Sequence, residues 1–269
     1  MSLPGLRCWV GGVAVLGPGL PGWTASEAIL AGEAPWTPAE LAVPPPAMLP
    51  ATERRRTSLA VRLALAAAAE AASAEGDTAA LETVFASSNG DGAVVGAILE
   101  TLTDPAGAIS PTQFHNSVHN AAAGYWGIGA GSTSPSISIG GHDDTVAAGL
   151  LQAAAAVVTR QRRVLLCAYD APLPPPLDAV RRTTIPFAAA LVLLPKRDAS
   201  ARAALAFHFR PDAPPRDDAA PADPLDALTT ENPAARALPL LRALAARRAA
   251  ALHLPLLGDA SLEIELAPC

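Results

Sequence analysis

The segment SISIGGHDDTVAAGLLQAAAAVV, Ser136 to Val158, constrains the fold more than any other. It reads as a short alternating strand, a glycine turn and a helix that is apolar on every side from Thr145 to Val158. A helix without a polar face needs cover all round, so this one belongs beneath mixed sheet inside a layered α/β fold.

The rest of the chain supplies material for such layers. Trp9 to Leu16, Thr83 to Ser87, RRVLLCAYDAPLP, IPFAAALVLLP, ALAFHFRP and SLEIELA read as strands. SLAVRLALAAAAEAASA is a strong Ala/Leu helix, with Arg62 and Glu70 on one face, and VVGAILETLTD is a second, stopped by Asp104–Pro105. Ser110–Pro111 opens a helix running from Thr112 to Trp126, on which Phe114, Val118, Ala122 and Trp126 make one apolar stripe beside His115 and His119. Asn116 and Asn120 lie close to that stripe and suit a polar-rimmed partner interface. TPAELAVPPPAMLPATERRR reads as extended surface. RPDAPPRDDAAPADPLDALTTENPAA, about 210–235, reads as a mobile linker or loop, and ARALPLLRALAARRAAAL as a basic helix. Residues 1–200 are therefore expected as one domain and 201–269 as an abbreviated C-terminal part.

Composition excludes several function classes. The net charge is −6, and the arginines come in short clusters with no aromatic residues between them, which speaks against nucleic-acid binding. Three scattered cysteines, Cys8, Cys167 and Cys269, make neither a disulfide framework nor a zinc site. Gly and Pro break the apolar N-terminus, and no uncharged apolar run is long enough to span a bilayer. A soluble cytoplasmic protein without metal or cofactor is the expectation.

Two polar groups are candidates for chemistry. His142, Asp143 and Asp144 stand at the start of the buried helix as a metal cluster, an acid–base pair or helix caps. Successive residues there point in different directions, which favours caps meeting free N–H groups and the positive helix end. His115 and His119 are four apart like half a metal site. Asn116 stands where a zincin motif has Glu, and no third ligand is near, which favours satisfied interface or core histidines. There is no G-x-S-x-G elbow, phosphate loop or dinucleotide fingerprint.

Taken together, these segments resemble the β-ketoacyl synthases of the thiolase-like superfamily. Ser134–Pro135–Ser136, ISIG and GHDDT line up without a gap with the family's GPS-x-x-x-x-TAC-x-S elbow, and the position of the catalytic cysteine falls on Asp143. SPTQFHNSVHNAAAGYWGIG is similar to the helix and turn that ketosynthases place at their dimer interface. The family's two histidine motifs have no counterpart, since His208 and His253 stand in other surroundings.

This pattern resembles the short chain-length-factor-like partners of ketosynthases in aryl polyene and related pigment pathways, over about Trp9 to Pro195. The resemblance implies a thiolase-like α/β fold and a catalytically silent subunit. It would pair with a full-length β-ketoacyl synthase and meet acyl carrier protein only indirectly. Phe114, His115, Val118, His119, Ala122 and Trp126 would then face the partner and bound its acyl tunnel. Two alternatives remain open: a stand-alone acyl-thioester decarboxylase or hydrolase using Asp143 with His142, and a purely structural dimerisation module.

Overall fold

A computed structural model describes residues 6–211 and 223–269. In chain order it begins with β1 (Leu6–Leu16), α1 (Trp23–Leu30), α2 (Ala51–Arg54), α3 (Leu59–Ala71) and β2 (Glu82–Ala86). There follow α4 (Gly92–Thr103), α5 (Pro111–Asn116), α6 (Ala121–Ala130), β3 (Ser136–Ile139) and α7 (Thr145–Arg160). β4 (Val164–Asp170), α8 (Leu177–Val180), β5 (Phe187–Leu194) and β6 (Ala203–Arg210) lead to α9 (Leu228–Glu231), α10 (Leu238–Ala245), β7 (Ala250–Leu256) and β8 (Ala260–Pro268).

The strands form one sheet in the order β3-β2-β4-β5-β1-β6-β8-β7. β3, β2 and β4 are parallel, as the intervening helices require, and every other pair is antiparallel. Strands from both sides of residue 200 share this sheet through the β1–β6 pairing.

Period-two alternation sorts the central strands onto two cores. Along β5, Phe187, Ala189, Leu191 and Leu193 face the α7 side, whereas Ala188, Ala190, Val192 and Leu194 face α3 and α6. β5 is buried at every residue, hence its unbroken apolar sequence. The cover that α7 requires comes from the sheet and from the 3₁₀ turn Pro233–Ala237: α7 touches β2, β4 and β1, that turn, and also β7 at the opposite edge. No residue of α7 is exposed before Thr159. Its glycine lets it lie close, since a Cβ on Gly149 would stand 2.9 Å from the Cβ of Ala86. On the other face, a Cβ on Gly12 would fall 1.8 Å from the carbonyl oxygen of Ala71, so the bulge between Val10 and Val13 needs glycine where β1 meets α3.

Three expectations are corrected. The helix over Thr112–Trp126 is two helices, α5 and α6, with Ser117–Asn120 between them. At the break Ser117 Oγ donates to the carbonyl of Phe114 (2.9 Å), and Asn116 Nδ2 is drawn to a remote carbonyl, Arg56 O (2.8 Å). The stripe is divided accordingly, with Phe114 and Val118 66% and 48% exposed and Ala122 and Trp126 only 1% and 2%.

The basic helix ends at Ala245, and Ala250–Leu256 is strand β7, because pairing with β8 buries Leu254 and Leu256 and overrides the helix propensity of alanine. Residues 212–222 of the expected loop lie outside the described residues. The remainder from Pro224 is largely helical, capped by Asp223 on Leu225 N (3.0 Å) and by Asn232 on Ala234 N (2.8 Å).

Candidate functional site: an ion-paired corner and an open sheet edge

β3 ends at Ile139, and Gly140, Gly141 and the 3₁₀ turn His142–Asp144 carry the chain into α7. His142 has φ 53°, a left-handed conformation uncommon for a non-glycine residue. Its carbonyl is held by Ser88 Oγ (2.7 Å) and Thr145 Oγ1 (2.6 Å), and Gly141 N donates to Thr145 Oγ1 (3.0 Å). The turn is thus fixed from the β2–α4 loop as well as from its own helix.

The aspartates are not helix caps, which corrects the sequence reading: neither side chain accepts from the first turn of α7. Asp143 instead takes Arg181 Nη2 on Oδ1 (2.7 Å) and faces Arg236 Nη2 from Oδ2 (3.4 Å). Asp144 meets Arg236 Nη1 (3.3 Å) and accepts from Leu257 N (3.0 Å), joining the β7–β8 turn to the corner. Asp143 stays 45% exposed, whereas Arg181 is only 14% exposed.

Arg181 continues the network inward by donating to Ser88 Oγ. Behind it lies Asp170, fully buried at the end of β4. Its Oδ1 accepts from Ser87 Oγ (2.8 Å), Ser88 N (2.9 Å) and Asn89 N (3.0 Å), while Oδ2 has no hydrogen-bond partner among the described residues. Burial pushes the Asp170 carboxyl up to about 7, against the opposing pull of those hydrogen bonds and of Arg181.

A pocket of about 630 Å³ opens beside the corner, lined by His142, Asp143, Arg181, Arg182, Arg236 and His253 among polar groups and by Val180, Pro233, Pro239 and Leu254. The structure therefore brings His253 to the wall that holds Asp143, a juxtaposition its sequence surroundings did not signal. Arg182 is already paired with Glu231 (2.5 Å). Cys8 and Cys167 lie in the cores on either side of the sheet, and burial raises both thiols, Cys8 to about 12. Among the described residues no group of His, Cys, Asp or Glu could hold a metal ion, and no helix is long and apolar enough to cross a membrane.

The second feature is the edge of the sheet. Among the described residues β3 pairs only with β2, so its other side is open. A groove of about 660 Å³ runs there between Ser132, Ser134, Ser136 and Ser138 and the α6 residues Gly124, Trp126, Gly127 and Ile128. Trp126 Nε1 and Ser138 Oγ are buried without a partner among the described residues.

Ile128 of α6, on the wall of this groove, is exposed, as are Leu99 and Leu102 on α4, Phe114 on α5 and Val118 in the break. The two histidines expected to share a face diverge. His115 stacks edge-on against Tyr125 (6.0 Å), and His119 Nε2 lies 2.9 Å from Ser87 O, next to the corner. Asn116 is buried and satisfied internally, because Tyr125 Oη donates to its Oδ1 (3.1 Å).

A family model described as "Beta-ketoacyl synthase, N-terminal domain" matches residues 30–255. No curated protein sequence matches the chain. Among solved structures, the chain is similar to one described as "Ketosynthase (ApeO) in Complex with its Chain Length Factor (ApeC) from Xenorhabdus doucetiae". The identity there is 21% and the TM-score 0.70, covering 96% of this chain and 99% of that one. It is similar as well to "The ishigamide ketosynthase/chain length factor", at 14% identity and TM-score 0.75, over 97% of this chain and 99% of that one. A β-ketoacyl synthase from Burkholderia phymatum aligns at 15% identity and TM-score 0.60, over 85% and 70%. These likenesses bear out the thiolase-like α/β architecture.

Proposed function

Since the chain belongs to the family of β-ketoacyl synthase N-terminal domains, we propose that it is a chain-length-factor-type subunit, which pairs with a full-length β-ketoacyl synthase and does not itself condense acyl groups. The observation that carries this reading is the corner, where a carboxylate bound by two arginines stands at the position that the family resemblance gives to the nucleophilic cysteine. A carboxylate tied up in ion pairs is a poor nucleophile toward a thioester, and the thiols of Cys8 and Cys167 are buried away from the pocket.

The open β3 edge supports pairing. Its N–H and C=O groups left unpaired among the described residues, with the exposed Ile128 in the adjoining groove, suit a protein partner better than water. In this reading Phe114, His115, Val118 and His119 meet the partner directly, while Ala122 and Trp126 shape the interface from inside. The similar structures described as ketosynthase and chain length factor complexes support the pairing, and the sequence resemblance gives the pair its place in fatty-acid/polyketide-type polyene synthesis. Acyl carrier protein is engaged only through the pair.

The test is an assay of the isolated chain and of the co-purified pair with acyl and malonyl thioesters of a carrier protein. The β-keto product is expected from the pair alone. Condensation by the isolated chain overturns the proposal. Because His142, Asp143 and His253 share one pocket, hydrolysis or decarboxylation by the isolated chain is followed in the same assay. Turnover that disappears with Asp143→Asn and His253→Ala establishes the enzymatic alternative.

A further inference from the structure

Besides the adjacent His142, whose Nδ1 lies 3.6 Å from Oδ1, the groups that meet Asp143 come from remote parts of the chain. Arg181 follows α8 and Arg236 lies in the turn before α10, yet both direct Nη2 toward one carboxylate, at 2.7 Å from Oδ1 and 3.4 Å from Oδ2. Arg236 also has Asp144 (3.3 Å), whereas Arg181, largely withdrawn from water, meets among the described residues Asp143, Ser88 Oγ and the field of buried Asp170. Without Asp143 two guanidinium groups would face a vacated space with one exposed acid less to balance them. That space opens on the 630 Å³ pocket, whose other walls include Val180, Pro239 and Leu254.

We infer that Asp143 is the built-in occupant of an anion site: its carboxylate fills the place between Arg181 and Arg236 that a small monocarboxylate would otherwise take. The corner is closed from within by an internal ligand. This goes beyond the proposed role, since it concerns the isolated chain and holds whether or not a partner binds. The chemistry is that of paired guanidinium groups, which bind carboxylates through charge-assisted hydrogen bonds and are costly to leave uncompensated where water is scarce.

The experiment is chemical rescue, read as thermal unfolding of the full chain at pH 7.5 with sodium formate or with sodium chloride at equal ionic strength. Asp143→Ala removes a group of formate's size and charge. It is expected to melt about 5 °C below the native chain. Formate, on the order of tens of millimolar, restores most of that loss with saturation while chloride does not.

Asp143→Asn keeps the volume and removes the charge, so it is destabilised without rescue, and Asp143→Ala combined with Arg181→Ala also shows no formate response. The inference is overturned if Asp143→Ala melts with the native chain, if formate fails to restore it, or if chloride or the control variants respond equally. Should Asp143→Ala not accumulate folded, its refolding yield with and without formate decides: a gain specific to formate supports the site, and no gain overturns it.

Discussion

Asn116 shows how much a single buried amide can hold together. Its Nδ2 satisfies the carbonyl of Arg56 and its Oδ1 takes the Tyr125 hydroxyl, so Asn116→Ala leaves two polar groups without partners. A loss of about 2 kcal/mol in unfolding free energy is expected by denaturant titration. Asp170 gives a prediction in pH. Its folded-state pKa, about 7, lies above the ordinary value of 3.8, so the folded chain binds the proton more tightly than the unfolded one. Its contribution therefore favours folding below about pH 4 and is lost as pH rises toward 7. Asp170→Asn keeps an acceptor for Ser87, Ser88 and Asn89 and should flatten that part of the stability profile in melts taken from pH 4 to 8. An unchanged profile in the variant would contradict the assignment.

At the scale of elements, α6 separates folding from recognition. Ala122 lies in the core shared with α3, so Ala122→Phe overpacks it and should cost about 1–3 kcal/mol of stability. Phe114 and Val118 lie outside that core. Phe114→Asp with Val118→Asp should move the melting of the isolated chain little, within about 0.5 kcal/mol per site, while weakening retention of a ketosynthase partner. Equal retention by the double variant would remove these residues from the interface.

The same elements show what the sequence can and cannot display. β5 and α7 were legible because each is apolar throughout, a pattern only burial explains. The Ser110–Pro111 start of α5 was legible from local chemistry. The break before α6 was not, since spacing by four counts Phe114, Val118, Ala122 and Trp126 as one face regardless of what Ser117 and Asn116 bond to. β7 was hidden because alanine and leucine favour a helix until a neighbouring strand is present. At the site, the sequence located Asp143 and Asp144 but not the groups gathered around Asp143. Arg181, Arg236 and His253 are 38 to 110 positions away along the chain, and only the fold brings them to one pocket.

For the whole molecule, the sheet and the 3₁₀ turn Pro233–Ala237 bury α7, and among the described residues β3 is left open at one edge. Closing that edge with a second protein would cover backbone groups and exposed apolar side chains together, which is why a paired subunit accounts for the molecule better than a solitary enzyme. Pairing is the central claim, and the stoichiometry of the complex tests it most directly. The tagged chain, co-expressed with a full-length β-ketoacyl synthase from a neighbouring coding region, would be purified and its mass read by light scattering during size-exclusion chromatography. A single species with the summed mass of one copy of each protein is predicted; a synthase that elutes alone, with this chain running as a separate monomer or homodimer, would contradict the account.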